Sequence, residues 1–162
     1  MSLFTNTTGK DTIRNAFYLF SPGVREILLA SPFFSYPSLI EEILQINQNC
    51  LVRLIVRLGP ATSPSALKKI LLLDRMQIRY FTSPQYHSKI YIFGDNNALV
   101  GSANLTEAGC QSNREVCIQL SQEDDRFDSL LKLYNSYWNQ AEVLNEVNLP
   151  QNSRHVISIN IG

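Results

Sequence analysis

The chain has little of what usually announces a partner or a compartment. Lys and Arg total 14 and Asp and Glu total 14, so the formal net charge is zero. With a pI near 6.7, no global basic field draws a polyanion. Nucleic-acid binding is thereby disfavoured as a whole-surface property, and a local basic cleft is left as its route. Cysteine is scarce: Cys50, Cys110 and Cys117 cannot all pair within one chain, and no Cys-x-x-Cys occurs. That excludes a disulfide framework and suits reduced thiols in a cytoplasmic protein. Apolar runs such as Ile90–Phe93 and Ile70–Leu73 are far too short to cross a bilayer. The opening stretch MSLFTNTTGKDTIRN lacks the apolar centre of a signal peptide. The expectation is a soluble, cytoplasmic protein with no membrane partner.

What is present fits one globular unit. Hydrophobic residues make up 44% and charged residues 17% of 162 residues, enough for a single sizeable core. Ile13, Ala16, Phe17 and Phe20 have helical spacing, and Pro22-Gly23 ends that helix. REILLASPFF predicts a buried strand, SYPSLIEEILQIN a helix with Leu39, Ile40, Ile43 and Leu44 on one face, and CLVRLIVRLG a second strand. TSPSALKKILLLD predicts a further helix and QIRYFTS a third strand. This alternation argues for parallel strands joined by crossover helices. HSKIYIFG and ALVGSANL then predict a hairpin, NREVCIQLS another strand, and residues 124–147 one long amphipathic helix. In that helix Phe127, Leu130, Leu131, Tyr134 and Trp138 share a face. The tail 148–162, containing RHVISINI, reads as an edge strand or extension. The expected fold is a single α/β domain, residues 1–162, with a mixed, mostly parallel central sheet flanked by helices.

One of only two histidines falls in the hairpin. With a two-residue turn at Asp95-Asn96, Lys89 stands opposite Ser102 and His87 opposite Asn104. Residues two apart on a strand, and residues directly opposed, share a face. His87, Lys89, Ser102 and Asn104 would then project from one patch, and a one-residue slip would scatter them. Histidine serves as nucleophile or acid/base near neutral pH, lysine supplies a charge for a phosphate oxygen, and Asn and Ser add donors. Gly101 would let a substrate approach the backbone. No carboxylate cluster accompanies the patch, so no divalent metal site and no cofactor is expected.

The spacing resembles the phospholipase D superfamily, whose motif runs His-x-Lys, four residues, Asp, six residues, Gly-Ser-x-Asn. His87, Lys89, Gly101, Ser102 and Asn104 occupy the matching places, and Gly94 stands where the family has Asp, with Asp95 one residue late. In the family that Asp is not the nucleophile. The likeness continues into NREV, where Glu115 resembles the family carboxylate that orients the histidine. The resemblance implies a metal-independent phosphodiesterase acting through two histidines, one forming a phosphohistidine and the other protonating the leaving oxygen. This chain has one motif. Its other histidine, His155, is followed two residues later by Ile157 instead of lysine and is read as a bystander. A two-fold homodimer sharing its active site is the economical solution. Short, single-motif members look like dimeric nucleases, so DNA or RNA is the expected substrate. A phospholipid phosphodiesterase or phosphatidyl transferase, and a catalytically silent binding subunit, are the competing readings.

Other basic residues weigh less. Arg57, near the C-terminal end of its strand, is a candidate to line the cleft, where ligands of α/β sheets bind. Arg53 shares its face. Lys68 and Lys69 are expected on a solvated helix surface, and Arg114 is expected on the face opposite Glu115.

Overall fold

The computed structural model describes residues 2–150. Its elements run β1 (Leu3–Phe4), α1 (Ile13–Phe20), β2 (Glu26–Ala30), α2 (Pro37–Ile46), β3 (Leu51–Arg57), α3 (Pro64–Leu71), β4 (Met76–Phe81), β5 (Ile90–Phe93), β6 (Asn97–Gly101), α4 (Glu107–Gln111), β7 (Cys117–Ser121), α5 (Asp125–Gln140) and β8 (Glu142–Val143). They build one eight-stranded sheet in the order β1-β7-β6-β5-β2-β3-β4-β8.

The helices begin where side-chain chemistry supplies a cap. Thr12 accepts from the Asn15 N–H, Ser63 from Ala66 with Pro64 behind it, and Asp124 from Arg126. The faces expected to be apolar are the buried ones: Ile13, Ala16, Phe17 and Phe20 on α1, and Leu39, Ile40, Ile43 and Leu44 on α2. These helices, with α3 and α4, cover one face of the sheet over a core that includes Leu29, Leu54, Tyr91 and Leu99. The other face carries Leu28, Ile55, Ile90 and Ile92 and is closed by α5 through Phe127, Tyr134 and Trp138. Sheet side chains alternate between the two layers, as the two-residue period requires.

Parallel pairing joins β2 to β3 and β3 to β4, as the crossover pattern predicts. The remaining pairings are antiparallel, so the sheet is mixed with a smaller parallel share than the sequence suggests. β5, β6 and β7 make three antiparallel pairings with β2 and one another, and β1 and β8, two-residue strands that the sequence pattern does not announce, add one each. The long helix stops at Gln140, not 147, because Ala141 is extended and Leu144 donates its N–H to Ile78 O at 2.9 Å. The open edge of β4 takes up residues that would otherwise continue the helix.

The hairpin register is also corrected. Ile90 pairs with Val100 and Phe93 with Asn97, one residue away from the expected alignment. The loop therefore holds Gly94, Asp95 and Asn96. Gly94 has φ +56° and donates its N–H to Glu26 O at 2.9 Å, while Asn96 donates to Phe93 O at 3.3 Å. A glycine in the left-handed region starts the turn one residue early, which the Asp-Asn signal does not reveal. His155 and the expected tail strand lie outside the described residues, apart from 148–150.

Candidate active site at one end of the sheet

The topology brings the motif to one rim. Strands β2, β3, β4 and β6 end there, and β5 and β7, which run the other way, begin there. His87 and Lys89 lie in the extended segment leading into β5, and Ser102 and Asn104 in the segment leaving β6. These residues sit beyond the paired ladder, so the one-residue slip in register does not by itself set where their side chains lie.

Arg57, at the end of β3, fixes the segment before His87. Its Nη1 donates to Pro84 O at 2.9 Å and to Tyr86 O at 3.3 Å. Its guanidinium lies over the Phe33 ring at 4.8 Å, and the Phe33 and His87 rings meet edge to face at 6.0 Å. His87 itself is exposed. Lys89 Nζ turns back to donate to His87 O at 3.0 Å. The Lys89 charge, then partial burial and the Arg57 charge, hold the imidazole below its usual pKa of 6.5, which favours the neutral, nucleophilic form at pH 7. Lys89 is itself pulled below the ordinary lysine range by burial, with Glu115 opposing and Arg57 reinforcing.

Asn104 is pinned from below. The buried Tyr91 hydroxyl donates to Ala103 O at 2.5 Å. Ser31, also fully buried, accepts the Leu105 N–H at 2.9 Å, donates to Phe33 O at 2.7 Å and stands 3.5 Å from Asn104 Oδ1. One hydroxyl thus ties the loop after β2 to the loop after β6.

Ser102 and Glu115 form a separate pair. The Ser102 hydroxyl donates to the Glu115 carboxylate and accepts the Val116 N–H at 3.0 Å. No hydrogen bond joins Glu115 to His87 among the described residues. The close approach that Gly101 permits is by its own chain: a Cβ there would lie 2.0 Å from Val116 O and 2.7 Å from Cys117 Cα. Its role is to seat β7 against β6. Arg114, expected on the opposite face, lines a groove of about 540 Å³ with Ser102, Glu115, Ser112, Thr5 and Thr7. The loop before β7 is not strand, so the alternation used to place Arg114 does not apply.

Ser31 is the residue that sequence reasoning missed, and Phe33, in the aromatic PFFSY stretch, is one that it weighed for the cleft and assigned to the core. Their signal was position: SPFF directly follows a strand at the rim where α/β sheets bind ligands. Among the described residues, no three His, Cys, Asp or Glu side chains gather where they could hold a metal ion. None of the described helices is long and apolar enough to cross a membrane.

Comparison with known proteins follows the same lines. The family model described as "Cardiolipin synthase, PLD-like domain" matches residues 19–140. No curated protein matches the sequence. Among solved structures, the chain is similar to the crystal structure of Nuc, a phospholipase D family member from Salmonella typhimurium, with TM-score 0.74 and 16% identity over 89% of this chain and 97% of that one. It is similar to NucT from Helicobacter pylori with TM-score 0.70 and 14% identity over 88% and 98%. Phosphatidylserine synthase from Haemophilus influenzae gives TM-score 0.64 and 13% identity, with 92% of this chain covering 40% of that one. Identities this low show the shared fold alone.

Proposed function

The chain belongs to the phospholipase D-like family, a superfamily of phosphodiesterases, and on that premise we propose that it is a metal-independent nuclease working as a two-fold homodimer. The observation that carries the reading is the rim geometry. An exposed imidazole biased toward its neutral form stands beside two cations, Lys89 and Arg57, with Asn104 anchored across the rim. This is a phosphate site with a nucleophile in it.

One chain supplies one such imidazole among the described residues. Two copies related by a two-fold axis would face their rims across one phosphodiester. One His87 attacks phosphorus and forms a P–N bond as the P–O bond to the leaving group breaks. The second His87, protonated, gives its proton to the departing oxygen. It then takes a proton from water, which attacks phosphorus and releases the first histidine. Lys89 and Asn104 hold the non-bridging oxygens, each worth about 3 kcal/mol of transition-state stabilisation by analogy with oxyanion donors. Glu115 accepts a hydrogen bond from Ser102 of its own chain, and the family resemblance gives it the role of orienting the imidazole.

The test is cleavage of single- and double-stranded DNA and RNA in EDTA by wild type and His87→Ala, with mass followed by light scattering. Chelator-resistant cleavage by a dimer, lost in the variant, is expected. Lipid turnover without nucleic-acid cleavage would move the reading to phospholipid chemistry. A dimer inert on every diester would make it a binding subunit.

A further inference from the structure

Two adjacent phenylalanines take opposite fates. Phe34 is fully buried in the core under α1–α4, while Phe33 is half-buried and faces the site. Core packing does not account for Phe33, whose half-exposed ring has the Arg57 guanidinium 4.8 Å from its centroid and the His87 ring edge to face at 6.0 Å. Among the described residues Arg57 has no carboxylate partner, and its hydrogen bonds use only Nη1. Beyond it the aromatic surface continues: Phe81 lies 4.7 Å from Tyr86 and 6.4 Å from Tyr137, with Phe81 and Tyr137 partly exposed.

The geometry points to a stacking platform: Phe33, backed by the Arg57 guanidinium, receives an unpaired nucleobase next to the phosphate that His87 attacks, so the substrate is single-stranded nucleic acid. The inference rests on the nuclease reading above and deepens it. Aromatic faces and guanidinium planes bind bases of any identity, and an adjacent cation takes the neighbouring phosphate. In a duplex the bases are stacked on one another and cannot reach the ring. A lipid diester would instead need an apolar groove leading away from the phosphate. The groove beside Ser102 has one aliphatic side chain, Val116, among hydroxyls, Asn6, Arg114 and Glu115.

The experiment uses the full chain and a fluorescent oligonucleotide, as DNA and as RNA, with one abasic spacer moved along the strand. Expected are preference for the single strand over the same sequence in duplex, and a roughly ten- to hundredfold drop in kcat/KM at the phosphate beside the spacer. Phe33→Leu should lower cleavage of the intact strand by a similar factor and cost nothing further on the abasic one. Phe33→Tyr should restore the intact rate, which separates stacking from misfolding. Equal rates on intact and abasic strands, or equal losses on both in Phe33→Leu, would overturn the platform. If wild type hydrolyses a small aromatic phosphodiester but cuts no nucleic acid at all, the nuclease reading fails and the platform falls with it.

Discussion

The Lys89 ammonium donates to the carbonyl oxygen of His87 at 3.0 Å, so the charge that depresses the imidazole's pKa is tethered two residues from it. A cation in this position serves two ends. It favours a neutral nucleophile before reaction and meets the phosphate oxygens during it.

In the free protein the His87 ring should therefore titrate below 6.5 by NMR, and Lys89→Met should move it upward toward that value. The sign follows from the cause, since removing a nearby positive charge makes the protonated ring less costly. Because the ring is exposed, the shift belongs to activity and leaves stability against pH nearly flat. A titration unchanged by the substitution would contradict the electrostatic account.

Ser31→Ala should be costly far from the chemistry. It removes the acceptor of the buried Leu105 N–H, worth about 1–3 kcal/mol in urea unfolding. It also loosens the backbone at Leu105, next to Asn104, so kcat should fall by up to about a hundredfold while binding of product changes little. Stability lost with kcat intact would make Ser31 purely structural.

Gly101→Ala should fail on packing alone. Its Cβ would meet backbone atoms of β7 that cannot move aside, and destabilisation of about 3 kcal/mol or more is expected in thermal or urea unfolding. A variant of native stability would mean that β6 and β7 are not so closely apposed.

Gly94→Asp places a carboxylate where the family motif has one. The residue sits at φ +56° and its Cβ would lie 3.1 Å from Val24. A loss of about 1–2 kcal/mol from backbone strain is expected in urea unfolding. No gain in activity is expected, because the turn lies at the end of β5 remote from His87. A more active variant would show that the motif Asp contributes directly.

The parts of this molecule that repeat a local period were legible in the sequence. Ile13, Phe17 and Leu39 announce their helices, and the β2-α2-β3-α3-β4 order fixes the parallel core. Features set by one backbone torsion or by distant contacts were not. The hairpin slipped because Gly94 turns early, and α5 ended early because β4 needed an edge partner. His87, Lys89 and Asn104 were singled out by their spacing. Ser31 and Phe33 reach the site through residues more than fifty positions away, so no local period marks them and only their place after β2 points to the rim.

Whether each active site takes one His87 from each of two chains is decided most directly by mixing. Wild type and His87→Ala should be unfolded together, refolded at varied ratio, and assayed for DNA or RNA cleavage at constant total protein. Activity proportional to the square of the wild-type fraction is the predicted result, since only dimers with two intact histidines turn over. Activity proportional to the fraction itself would show that one chain carries a complete site, and would contradict the shared-site mechanism.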